Sequence, residues 1–192
     1  MGKKAFYFNM ANCIGCRTCQ IACKDVNDLE VGTLFRHVDS FETGAYPSAV
    51  LYHYSSSCNH CEEPACVANC PTGAMYIDEE DGTVQHDDSA CIGCKTCQVS
   101  CPYSVPQYLE ERGIVAKCSM CKPLRDAGEA PACVSTCLTR ALEWGELEDL
   151  KAAHLDAVSD IACLPDSGVT SPAVLIDVKP AALEPDYLQK AL

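Results

Sequence analysis

Cysteine carries the chemistry of this chain: sixteen of its seventeen cysteines fall into four groups of four. The first group is Cys13, Cys16, Cys19 and Cys23, and the third is Cys91, Cys94, Cys97 and Cys101. Both read C-x2-C-x2-C-x3-C, a run in which three close thiolates wrap one corner of a cubane iron–sulfur cluster and the fourth ligates a neighbouring one. The second group, Cys58, Cys61, Cys66 and Cys70, widens the middle gap to C-x2-C-x4-C-x3-C. The fourth, Cys118, Cys121, Cys133 and Cys137, widens it to C-x2-C-x11-C-x3-C. Four complete ligand sets point to four 4Fe–4S clusters, hence to iron binding and electron transfer. Cys163 is left over.

Two other uses of cysteine fit less well. A disulfide framework leaves one of seventeen unpaired and has no need of triple C-x2-C-x2-C spacing. Structural zinc takes two close ligands, a long gap, then two more; the second and fourth groups alone suit that. Cys58-Asn59-His60 supplies the C-x-H half of a Rieske site, but the C-x2-H half is absent, so His60 reads as a hydrogen-bond partner beside a cluster. Cys163 reads as a small buried hydrophobe. Tyr103, Tyr108 and Trp144 read as packing around clusters. No nucleophile–base pair, glycine-rich phosphate loop or paired-carboxylate site stands out, so no catalytic residue is assigned.

The chain has 192 residues and a formal charge of −13, which cubane clusters make more negative still. That balance excludes nucleic acid, whose recognition requires a basic face. Seven of the fourteen basic residues (Arg17, Lys24, Lys95, Lys117, Lys122, Arg125 and Arg140) lie within or beside the cysteine groups, where they can offset cluster charge. At 7% aromatic residues, much of what a hydrophobic core supplies must come from the clusters, and the apo chain is expected to be unfolded or badly disordered. No apolar run is long enough to span a bilayer, no apolar leader follows Met1, and no twin arginine is present.

The chain also repeats itself. Cys13–Cys23 returns nearly unchanged at Cys91–Cys101, and Pro64-Ala65-Cys66-Val67 returns as Pro131-Ala132-Cys133-Val134. Compact and spread groups therefore alternate, which indicates two copies of a double-cluster unit. Met75–Asp78 and Thr83–His86 flank an Asp-Gly turn and read as a hairpin. That hairpin joins the second group to the third, leaving the first to pair with the fourth. With the last cysteine of each run crossing to the neighbouring cluster, four ligand sets follow. They are Cys13, Cys16, Cys19 and Cys137; Cys118, Cys121, Cys133 and Cys23; Cys58, Cys61, Cys66 and Cys101; and Cys91, Cys94, Cys97 and Cys70.

The elements that position these groups are short. Residues 5–9, 50–54 and 141–145 read as strands and 146–154 as a helix. The expected architecture is α+β: two interleaved bacterial-type double-cluster ferredoxin units of short strands, hairpins and short helices. Residues 1–57 and 102–154 form the outer unit and 58–101 the inner one. Residues 155–192, punctuated by Pro165, Pro172, Pro180 and Pro185, form an extended C-terminal tail on the domain or on a partner.

The layout resembles the four-cluster iron–sulfur subunit of the dimethyl sulfoxide reductase family of molybdopterin oxidoreductases. The likeness is carried by Cys-Ile-Gly-Cys in both compact groups and by Asn59-His60-Cys61-Glu62-Glu63-Pro64-Ala65-Cys66. Ala22-Cys23-Lys24-Asp25, Cys101-Pro102-Tyr103 and Arg140-Ala141-Leu142 strengthen it. Pro71 and Pro102 follow the last cysteine of their groups, whereas Lys24 and Leu138 stand there in the other two. The resemblance implies an electron-transfer subunit joining a quinol or other donor to a molybdopterin-containing catalytic subunit, with a quinol-oxidising membrane anchor as a further partner. It also implies work on the outer face of the cytoplasmic membrane, reached by co-export with the catalytic subunit, the alternative being cytoplasmic. A soluble polyferredoxin shuttle is the contrasting reading.

Overall fold

The computed structural model describes residues 2–191. Its central strand, β1 (Lys4–Asn9), buries Ala5, Phe6, Tyr7 and Phe8 in succession. A strand reads this way when both faces are covered. On its two edges lie β8 (Leu142–Glu146), antiparallel, and β9 (Val174–Asp177), parallel. Side chains alternate along the strand: Phe6 and Phe8 join Val174 and Ile176 in the main core. Ala5, Tyr7 and Leu175 face a second, smaller core closed by Leu147 and Leu150 of helix α6 (Leu147–Ala153).

A second three-stranded sheet sets β2 (His37–Thr43) between β3 (Val50–Ser56) and β10 (Tyr187–Lys190), all antiparallel. Phe41 and Tyr52 lie opposite each other in register with ring centroids 5.3 Å apart, and Tyr187 meets Phe41 edge-on. Such cross-strand aromatic pairs fix register as well as adding contact energy. Two hairpins complete the strands: β4 (Met75–Ile77) with β5 (Val84–His86), and β6 (Gln107–Leu109) with β7 (Ile114–Ala116).

The product is a small mixed α/β protein of short strands and short helices. The strands expected near residues 5–9, 50–54 and 141–145, the helix before His154 and the 75–86 hairpin are all present. Beyond residue 155 the chain does more than lie extended. β9 completes the first sheet, β10 edges the second, and Val158 bridges to Ile176. Its prolines fall outside both strands, where they remove no ladder hydrogen bond. No helix of the described residues is long and apolar enough to cross a membrane.

Candidate metal centres

The four cysteine groups share one backbone feature. The residue before the second cysteine is left-handed in each: Gly15 (φ 70°), His60 (45°), Gly93 (66°) and Met120 (55°). In the compact groups it is glycine for a steric reason as well. A Cβ on Gly93 would strike the Gly113 carbonyl, and one on Gly15 the His53 ring. Arg17 and Lys95 repeat the left-handed turn, after which the chain enters α1 (Thr18–Val26) and α3 (Thr96–Ser100) with Cys19 and Cys97 in the first turn. In the spread groups, Pro64 and Pro131 precede the one-turn helices α2 (Ala65–Ala68) and α5 (Ala132–Ser135), which carry Cys66 and Cys133. Group four also contains α4 (Lys122–Asp126), which Cys121 precedes as its N-cap.

Helix α1 packs on α5, and α2 on α3, so the first group meets the fourth and the second meets the third. Cys13, Cys16, Cys19 and Cys137 line one cavity, and Cys70, Cys91, Cys94 and Cys97 line another. Burial pushes the Cys66 thiol up to about 12, with the neighbouring thiols Cys58, Cys101 and Cys61 adding to the shift. Burial likewise pushes Cys23 up to about 12, reinforced by Cys133, Cys121 and Cys19 and opposed by Arg36. Adjacent sets are near neighbours in turn. Cys19 neighbours Cys133, Cys118 neighbours Cys58, and Cys66 shares a small apolar cluster with Cys97. Cys16 and Cys94, at the two ends of this row, are exposed, whereas Cys118, Cys121 and Cys133 are buried.

All seventeen cysteines lie among the described residues and none forms a disulfide there. Among the described residues, no three His, Cys, Asp or Glu side chains converge tightly enough for one metal ion. A cubane needs its thiolates further apart, one at each iron corner. A second fit lies in buried N–H donors with no partner: Arg36 Nε, His60 Nε2 and an Arg125 guanidinium nitrogen. Buried donors are rarely left unmade. His86 lines the cavity of Cys70, Cys91, Cys94 and Cys97. His60 is fully buried and its Nδ1 accepts from the Val84 amide at 3.0 Å, which places its proton on Nε2. Burial first, then the cations Lys117, Lys3 and Arg125, hold His60 neutral.

Four threonines extend the pattern. Thr18, Thr72, Thr96 and Thr139 each stand two residues after a cysteine, with hydroxyl-to-sulfur distances of 3.4 Å, 3.8 Å, 3.3 Å and 3.9 Å. The cysteines concerned, Cys16, Cys70, Cys94 and Cys137, belong to the two cavity-lining sets at the ends of the row. Thr18 holds the Cys16 thiol below its usual range, and Thr96 does the same for Cys94. This C-x-T signal is visible in the sequence.

Of the seven basic residues near the groups, Lys117 is buried and donates to the carbonyls of Val84 and Cys118. Arg125 pairs with Asp81 and Lys122 with Asp78 at 3.0 Å, tying α4 to the β4–β5 hairpin. Lys95 lies 3.8 Å from the Tyr108 ring centre. Tyr103 and Trp144 pack against the main core and Tyr108 against the Cys66–Cys97 cluster. Cys163 packs against the main core, its thiol pushed up to about 11 by burial. Arg36 carries no such sequence signal, because it lies in the long segment between the first two groups.

Comparison with known proteins accords with this chemistry. A 4Fe-4S dicluster domain model matches residues 49–147, and a 4Fe-4S binding domain model matches residues 10–31. One chain of the anaerobic dimethyl sulfoxide reductase of Escherichia coli (strain K12) is 40% identical over 179 residues, 89% of this protein and 86% of its own length. The thiosulfate reductase electron transfer subunit PhsB of Salmonella typhi is 44% identical over 142 residues, 71% of this protein and 72% of its own length. One subunit of the sulfite dehydrogenase of Allochromatium vinosum is 34% identical over 170 residues, 78% of this protein and 71% of its own length. With a dicluster domain across half its length and such identity over most of it, the chain therefore belongs to the iron–sulfur electron-transfer subunits of the dimethyl sulfoxide reductase family, and its cofactors are 4Fe–4S clusters.

Proposed function

We propose that this chain passes electrons along four 4Fe–4S clusters between a molybdopterin-containing catalytic subunit and a quinol or other donor. The observation that carries the reading is the row of thiol sets, with no exposed thiol in the middle sets and the exposed thiols Cys16 and Cys94 at the ends. A bound cluster supplies reversible one-electron chemistry; the chain holds the clusters in line, keeps water from the middle ones and leaves the ends accessible. The proposed ligands are Cys13, Cys16, Cys19 and Cys137 at one end, then Cys23, Cys118, Cys121 and Cys133. Cys58, Cys61, Cys66 and Cys101 follow, and Cys70, Cys91, Cys94 and Cys97 form the other end. This amounts to two interleaved ferredoxin units, the outer of residues 1–57 and 102–154 enclosing the inner of 58–101, with 155–192 as an appended segment.

The catalytic partner chooses the substrate. A quinol-oxidising membrane anchor is the proposed donor subunit, and the proposed location is the outer face of the cytoplasmic membrane, reached by export of the folded, cluster-loaded complex. Folded export protects ligand thiols that an apo chain would expose. The test is purification from the native host together with fractionation, with and without the catalytic subunit. Co-purification with a molybdopterin protein, and movement outward only in its presence, is the expected result. A chain that purifies alone acts as a soluble polyferredoxin, and one that stays cytoplasmic beside its partner overturns co-export.

A further inference from the structure

Arg36 is a buried basic side chain near thiols of both outer sets. It is 2% exposed and precedes β2. One terminal nitrogen donates to the Ser55 carbonyl and hydroxyl, both at 3.1 Å, and the other to Ser57 Oγ at 2.8 Å. Its guanidinium carbon lies 4.7 Å from the centre of the Phe6 ring, and its Nε is buried without a partner. Among the described residues no carboxylate forms an ion pair with it, whereas buried Arg125 has Asp81 and buried Lys117 has two carbonyls. An unpaired buried cation is strongly disfavoured. Cys133, Cys118, Cys19 and Cys23, drawn from both outer sets, are the groups that favour its charge once they are thiolates. Ser55 Oγ, which accepts from Arg36, also lies 3.4 Å from Cys19 Sγ.

We infer that Arg36 is a positioning residue that sets the reduction potentials of the two outer clusters through its fixed charge and the Nε–H left free. The inference rests on the ligand sets proposed above. Adding an electron to a cluster adds a negative charge; a fixed cation in a dry site stabilises the reduced form, so potential rises with it. The guanidinium cannot lose its proton, so the contribution is present at every working pH.

The test is a reductive titration of the cluster-loaded full chain followed by electron paramagnetic resonance, with iron per chain measured on the same samples. In Arg36→Gln two clusters are expected to become harder to reduce. Their reduced-to-oxidised ratio at fixed potential falls about tenfold, about 59 mV for a one-electron couple, while the other two keep theirs. Arg36→Lys keeps the charge and is expected to hold both potentials within about threefold in ratio. Ser57→Asp places a carboxylate against the guanidinium and is expected to lower the same two clusters even where Arg36→Gln fails to load iron. Unchanged potentials in a loaded variant, an equal shift at all clusters, or a lysine variant as shifted as the glutamine one overturns the assignment. Failure of both neutralising variants to hold iron also overturns it, making Arg36 a structural residue. An iron count far below about sixteen in the unsubstituted chain would overturn the four-cluster reading instead, so the two failures are told apart.

Discussion

The Thr96 hydroxyl lies 3.3 Å from the Cys94 sulfur, and Thr18 stands in the same relation to Cys16 at 3.4 Å, at the opposite end of the thiol row. Both cysteines are exposed, so water competes with each hydroxyl. Thr96→Val is therefore expected to leave iron content unchanged and to lower the potential of one cluster modestly. About a threefold fall in its reduced-to-oxidised ratio at fixed potential is the expected size. A potentiometric titration checks it; a shift spread over several clusters would contradict the pairing of Thr96 with one site.

Cys94→Ser is expected to damage a single cluster, converting it to a 3Fe–4S form with about one iron lost, while the other sets persist. Cys163→Ser, packed against the main core, is expected to leave iron unaltered. Iron analysis and the 3Fe–4S resonance distinguish the two. Iron loss from the Cys163 variant would sink the ligand sets.

Removing the clusters with a chelator under oxidising conditions is expected to abolish cooperative unfolding and near-ultraviolet dichroism. The cores are closed partly by cysteines, Cys19, Cys23, Cys58, Cys118 and Cys133 among them, and metal-binding energy is folding energy in such sites. A sharp thermal transition in the iron-free chain would refute this.

The Arg125–Asp81 pair is nearly buried, with side chains 5% and 11% exposed, and joins group four to the β4–β5 hairpin. Asp81→Ala leaves the guanidinium without its carboxylate and is expected to cost about 3–5 kcal/mol. The double variant with Arg125→Met is expected to recover most of it. Denaturation of the loaded protein provides the cycle, and additive single losses would mean that the two residues do not act as a pair.

Truncation separates the two C-terminal strands. Ending the chain at Ala173 removes β9, whose Val174 and Ile176 sit in the main core beside Phe6 and Phe8, and is expected to prevent accumulation of loaded protein. Ending it at Asp186 removes only the edge strand β10 and is expected to leave iron content intact. Equal iron in both truncated chains would show that β9 is dispensable.

The donor chemistry and much of the local structure are legible in the residue order alone. Cysteine spacing, the Cys-Ile-Gly-Cys turns and the Asp-Gly hairpin are short-range features, because sterics and ligand reach act over a few residues. The runs around Ala5–Asn9 and Val50–Tyr54 were legible as strands for the same reason. Whatever depends on residues far apart in the chain emerges on folding. β2 mixes His37, Asp39 and Glu42 with apolar residues and becomes a central strand through its two partners. β9 and β10 lie in a proline-punctuated stretch and become strands by pairing with β1 and β2. Arg36 has no motif at all; its part in the site arises because folding places a buried cation where thiols from groups one and four meet, and electrostatic forces in a dry interior depend on position in space rather than on spacing in sequence.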